Sequence, residues 1–508
     1  MNKKFDIFGM LKEEFSKGKH SVQYDKFDSM IFKDITKQAE NLKKIPERYD
    51  DIPTIDPLPQ DVFNLFFKYQ TKFVEDEKID PAYLINKTAL QKAIDSEDFT
   101  KLKSITALDE VSSAVATVKF IQNIIPLLRE QKSNMKQLQQ DQQNKLKQQI
   151  QKQKLLQQLQ NTKNKKQKQQ LQQQIQKLNN QINQINQHMQ KTLSQSKKQM
   201  RQSAINQAVR RTAKDVQQIK NDMDNLIFTY GNEISQLSKV DKEQRLKLAE
   251  LLMFNSKIKE LAKILGKVRF ILNQVKKEKI PKRVQEIYSI SMGNDISRLI
   301  PSETVKLYNK ALRRDFYKRF IDKQLLQYAL KDKQTKGKGD FVVCIDVSGS
   351  MNGIRELWAK AVALAILHHA IKQKRGFAMI LFSEDVKEIF KFDRKHPPTL
   401  EDITTIAESY AGGGTNFERP LTKAVEILQH MKKGDILFIT DGECEVSGMF
   451  LDRFNKFRKE TKTKVVSVVI LGETRVPEKF SDVAMRISDL VDMDRIVENT
   501  NKVLNAVL

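Results

Sequence analysis

The sequence predicts an α/β doubly wound domain at the C-terminal end of a chain whose N-terminal region is all-α and contains a Gln/Lys-rich coiled coil. Three observations carry this reading. After residue 340, short apolar runs alternate with helical patterns, the signature of strands joined by crossover helices. Before residue 340, apolar residues recur at helical spacing. The composition also changes sharply, first into a basic Gln-rich segment at 131–214 and again at a Gly/Lys linker at 331–340. With 508 residues there is room for two to four domains at about 150 residues each.

Charge divides the chain in the same way. The formal net charge is +26, yet residues 341–508 hold 24 Lys+Arg against 24 Asp+Glu. Of the totals of 89 and 63, residues 1–340 therefore hold 65 and 39. The whole basic excess lies N-terminal to the α/β region. Two cysteines, Cys344 and Cys444, are too few for a disulfide framework, which points to a reducing compartment. Charged residues interrupt the N-terminal apolar stretch, so it does not read as a signal peptide, and the longest apolar run is only 361–367. The expected location is cytoplasmic.

Residues 1–130 read as a helical domain punctuated by Pro53, Pro57 and Pro59, ahead of Val62, Phe63, Phe66 and Phe67. Residues 131–214 carry 18 basic residues against the single Asp141, with neither glycine nor proline. There Leu171, Ile175, Leu178, Ile182, Ile185 and Met189 recur at alternating steps of four and three, one seam of a coiled coil. Leu146, Ile150, Leu155, Leu156 and Leu159 form a less regular partner run, with 161–164 as the tip of a helical hairpin. A partly disordered low-complexity insertion is the competing reading. Residues 215–330 form a second helical domain, with Leu246, Leu248, Leu251, Leu252, Ile258, Leu261 and Leu265. Residues 331–340 are a linker.

In the α/β region, 341–347, 377–383, 436–440 and 465–471 read as parallel strands, and 354–374, 401–410, 420–432 and 450–462 as helices. Ligands of such sheets sit beyond the carboxyl ends of the strands. The first strand ends in Asp346-Val347-Ser348-Gly349-Ser350, the loop Gly412-Gly413-Gly414-Thr415 precedes a helix, and a third strand ends in Asp441-Gly442. Three hydroxyls and two carboxylates at one rim are hard-oxygen donors suited to a small divalent cation.

These residues resemble the von Willebrand factor A (VWA) family and its metal-ion-dependent adhesion site, whose DxSxS, Thr and Asp elements match Asp346, Ser348, Ser350, Thr415 and Asp441. The resemblance implies Mg²⁺, or Mn²⁺ in its place. It also implies that Ser348, Ser350 and Thr415 ligate directly while Asp346 and Asp441 act through bound waters. The sixth ligand it implies is an acidic residue of a client protein. Upstream, Gly293-Asn294-Asp295-Ile296-Ser297-Arg298-Leu299-Ile300-Pro301-Ser302-Glu303 and Gln324-Leu325-Leu326-Gln327-Tyr328 resemble the ViaA family over roughly 216–508. The Gln/Lys-rich segment departs from that pattern. The ViaA resemblance implies a MoxR-type AAA+ ATPase as partner and an adaptor role in a chaperone-like remodelling system. The chain has no GxxxxGK[ST] phosphate loop, in keeping with ATP hydrolysis delegated to that partner.

Other features carry competing readings. The basic segment 131–214 fits a nucleic-acid backbone, but it lacks aromatic residues for base stacking. Phe5, Phe8, Leu11 and Phe15, beside Lys3, Lys4, Lys12 and Lys17, fit a helix lying on an anionic membrane surface, or equally a core face. His368 and His369 have no Cys or acidic residue at metal-ligand spacing, and Ser348 lies in no GxSxG motif. The expectation is therefore a non-enzymatic, Mg-dependent adaptor, with a nucleic-acid-binding VWA protein as the alternative.

Overall fold

The structure is a computed structural model. It describes residues 17–162, 164–228, 241–278, 286–331, 339–393, 395–431, 434–442, 444–490 and 492–507. The Phe5, Phe8, Leu11 and Phe15 stripe and most of the 331–340 linker lie outside the described residues. The chain divides into two compact units, the second holding everything from Lys263 onward.

The first unit is helical. Its helix Leu58–Phe67 starts at Pro57 with Pro59 in the first turn, where a missing N–H breaks no helical bond. Val62, Phe63, Leu65 and Phe66 are all buried, and Phe66 meets Phe120 edge-on at 5.5 Å. Phe120 belongs to Glu110–Glu130, whose first turn is capped by the Asp109 carboxylate accepting from the Val111 and Ser112 amides. By length and composition this helix is apolar enough to cross a membrane, although no single uninterrupted run in the sequence reveals it, and most of its apolar window is buried inside the unit.

The Gln/Lys-rich segment forms two helices, Lys132–Asn161 and Lys165–Gln199, packed against each other as a hairpin. Ile150, Leu178 and Met189 of the seam are buried, while Leu171, Ile175, Ile182 and Ile185 are half-buried. Asp141, the one acidic residue of this stretch, crosses the hairpin to His188, with Oδ2 2.7 Å from Nδ1.

In the second unit, the block read from sequence as wholly helical also contains a two-stranded ribbon. β1 (Glu286–Gly293) pairs antiparallel with β2 (Leu325–Lys331), and the helices Pro301–Tyr308 and Arg313–Ile321 lie between them in sequence. The period-two run Ser289-Ile290-Ser291-Met292 is the strand signal that helical periodicity around it masked. Glu303 is buried there and ion-pairs with Arg319 at 2.8 Å.

The rest of this unit is a six-stranded sheet in the order β5-β4-β3-β6-β7-β8. Its strands are β3 (Asp340–Asp346), β4 (Phe377–Phe382), β5 (Val386–Phe392), β6 (Gly434–Thr440), β7 (Val465–Ile470) and β8 (Val483–Ile487). All neighbours are parallel except β4 and β5. β3, β4 and β7 are almost continuously apolar because helices cover both faces. Phe382, Phe417 and Phe480 surround Phe438 at centroid distances of 5.1 to 5.6 Å. The Trp358 indole donates to the Thr500 hydroxyl at 2.9 Å, fastening helix Ile354–Lys372 to the C-terminal helix Met493–Val507. The chain leaves β3 first toward β4 and later returns on the other side at β6. A crevice therefore opens beyond the carboxyl ends of β3 and β6.

Candidate functional site

The crevice holds the polar residues singled out in the sequence. Asp346 ends β3 and Thr440 ends β6, and the register Ile345↔Ile439 places the two side by side. The Thr440 hydroxyl donates to Asp346 Oδ2 at 2.6 Å, and the Ser348 amide donates to Asp346 Oδ1 at 2.9 Å. Both carboxylate oxygens are thus fixed before any ligand arrives. Burial pushes the Asp346 carboxyl above its usual range; the Thr440 and Ser348 hydrogen bonds oppose that rise and the Asp441 charge reinforces it.

The two serine hydroxyls are 3.2 Å apart, and Ser350 Oγ donates to Asp441 Oδ1 at 2.8 Å. Adjacent ligands about 2.1 Å from an octahedral Mg²⁺ would lie about 3 Å apart, so the serine pair matches neighbouring coordination positions. The third segment enters through glycines. Gly412 and Gly413 adopt φ of +63° and +86°, a region other residues rarely occupy. This lets the loop turn back so that Gly412 N donates to Val347 O at 3.2 Å and Gly349 N to Gly413 O at 3.3 Å. Thr415 follows, its hydroxyl oxygen 3.4 Å from where a Cβ on Gly442 would stand. Asp346, Ser348, Ser350 and Asp441 therefore form one hydrogen-bonded cluster, with Thr415 against the residue next to Asp441. The donor set is neutral hydroxyls plus two carboxylates, which suits a hard divalent cation.

Three contributors were not singled out from sequence. Thr440 orients Asp346, and its only signal is its place immediately before Asp441. Arg355 lies in the first turn of helix Ile354–Lys372 and donates through Nη1 to Asp441 Oδ2 and, at 2.9 Å, to the Ser350 carbonyl. Further back, Lys360 is fully buried; it pairs with Glu356 and donates to the carbonyls of Ser409 at 2.6 Å and Ala407 at 3.3 Å. It thereby holds the approach to the glycine loop. Cys344 faces the core, and burial raises its thiol far above the range in which a thiolate forms. His368 is buried within the helix that carries Arg355.

Residues 341–443 match the von Willebrand factor type A domain. Over 485 residues the chain is 31% identical to Uncharacterized protein MJ0811 of Methanocaldococcus jannaschii, covering 93% of this chain and 97% of that protein. The chain belongs to the MJ0811 family. Uncharacterized protein MJ0077 of the same organism is 27% identical over 470 residues, covering 92% and 96%. Among solved structures, the von Willebrand factor type A protein from Catenulispora acidiphila is similar, with 18% identity and a TM-score of 0.26 over 35% of this chain and 43% of that one. The VWA assignment thus rests on the domain match and on the sheet itself. The cluster described above occupies the strand-end crevice of that VWA domain.

Proposed function

We propose that the VWA domain binds Mg²⁺, or Mn²⁺, through Ser348, Ser350 and Thr415, with Asp346 and Asp441 behind them, and so captures a carboxylate of a partner protein. The observation that carries this reading is the arrangement of Asp346, Ser348, Ser350 and Asp441, already hydrogen-bonded to one another at the switch point of the sheet. When bound, a divalent cation would supply an open position for an anionic oxygen, because the hydroxyl donors leave its charge undercompensated. The protein's own contribution is positional. Thr440 and the Ser348 amide hold Asp346, and Lys360 steadies the helix-to-loop segment leading to Thr415.

On this reading the chain is a non-enzymatic cytoplasmic adaptor. A VWA domain is a protein-interaction module, and the ViaA-like motifs at 293–303 and 324–328 favour a MoxR-type AAA+ ATPase as the partner. The test is a pull-down of purified MoxR-type ATPase from the same organism with the full-length chain, in Mg²⁺ and in EDTA. Retention in Mg²⁺, lost in EDTA and in Asp346→Ala and Ser348→Ala, supports the metal bridge. Equal retention in all four conditions rules it out.

A further inference from the structure

The residue that stands out at this site is Arg355, which the hydroxyl-and-carboxylate pattern does not require. A cation in the first turn of a helix faces the positive end of the helix dipole, an unfavourable position without a compensating anion. That anion is Asp441, whose side chain is 1% exposed. Both of its oxygens are taken by donors of the chain itself, Oδ1 by Ser350 Oγ and Oδ2 by Arg355 Nη1. The guanidinium also holds the Ser350 carbonyl and so ties two of the site's three segments together. Its own side chain is 33% exposed, leaving it an outward path.

We infer that Arg355 is a built-in competitor of the divalent cation, a residue that sets the metal affinity of the site. Resting on the metal reading above, this inference adds a direction to it. With no divalent cation bound, the guanidinium neutralises buried Asp441 and keeps the serine loop and β6 joined. A cation entering beside Ser348 and Ser350 brings two positive charges next to Arg355, so binding requires the guanidinium to leave Asp441. The site then fills only above a threshold of free Mg²⁺, and carboxylate capture follows that threshold.

Calorimetric titration of Mg²⁺ alone into the full-length chain tests this, with Arg355→Gln, Arg355→Lys and Asp346→Ala in parallel. Arg355→Gln is expected to bind Mg²⁺ at least about tenfold more tightly than wild type. Arg355→Lys, which keeps the charge, is expected to stay near wild type. In EDTA the melting temperature of Arg355→Gln should fall below wild type, and Mg²⁺ should restore it; a purely structural arginine would show the fall without the restoration. The inference is overturned if Arg355→Gln binds Mg²⁺ no more tightly than wild type. If neither wild type nor Arg355→Gln binds Mg²⁺, the metal reading itself falls. Loss of binding in Asp346→Ala alone keeps that reading while the arginine variants decide this one.

Discussion

The VWA sheet and the helical hairpin of the first unit bury apolar surface very differently. All six side chains of β4 and all six of β7 are buried. In the hairpin, two helices of 30 and 35 residues bury only five apolar side chains, Met135, Leu138, Ile150, Leu178 and Met189. The charges differ in parallel. Residues 341–508 are balanced at 24 against 24, whereas 131–214 carry 18 basic residues and one acid. A packed core can hold hydroxyls and carboxylates in fixed positions; a solvated seam offers charge on a loosely specified surface. For that reason the proposed carboxylate capture is assigned to the sheet and not to the hairpin.

Substitutions at the best-packed point should separate the two regions most. Phe438→Ala removes a ring enclosed by Phe382, Phe417 and Phe480, and is expected to cost about 4 kcal/mol in urea denaturation. A cost near 1 kcal/mol would mean the sheet is no better packed than the hairpin. Lys360→Met is expected to cost about 3 kcal/mol, because it leaves buried Glu356 and the Ser409 carbonyl without the ammonium. The same variant should weaken Mg²⁺ binding through the glycine loop, and unchanged affinity would detach that loop from the site. Leu178→Ala, on the hairpin seam, should cost only about 1 kcal/mol.

The smallest effect is in pH dependence, and it lies in the helical unit. Lys103 donates to the Leu65 carbonyl, and burial lowers its pKa to about 8. The unfolded chain holds this proton up to the ordinary lysine range, so between about pH 8 and 10 the unfolded state binds more protons than the folded one. This lysine therefore makes stability rise with pH across that window, and its penalty is greatest below it. Lys103→Met should flatten the rise in urea midpoint between pH 8 and 10; an identical slope would show that other groups produce it.

The residues of the candidate site were legible because they lie at local sequence signals. DxSxS occupies one strand-to-helix turn, and Thr415 and Asp441 each sit beside glycine at the end of a loop or strand. Four of the six sheet strands were legible as apolar runs. The edge strands β5 and β8 were not, since exposure on one side dilutes their apolar pattern. The β1–β2 ribbon was hidden because its partner strands lie far apart in sequence with helices between them. Arg355 and Lys360 lie in no motif singled out from the sequence, and only tertiary proximity to Asp441 and to the Ser409 carbonyl reveals their positions.

The most direct test of carboxylate capture through a metal is a count of bound Mn²⁺ by electron paramagnetic resonance, with Mg²⁺ as competitor, on full-length wild type and Ser348→Ala. The expected result is one Mn²⁺ per wild-type chain, displaced by Mg²⁺, and none on Ser348→Ala with unchanged circular dichroism. Equal Mn²⁺ binding by both proteins, or none by wild type at millimolar metal, would contradict it.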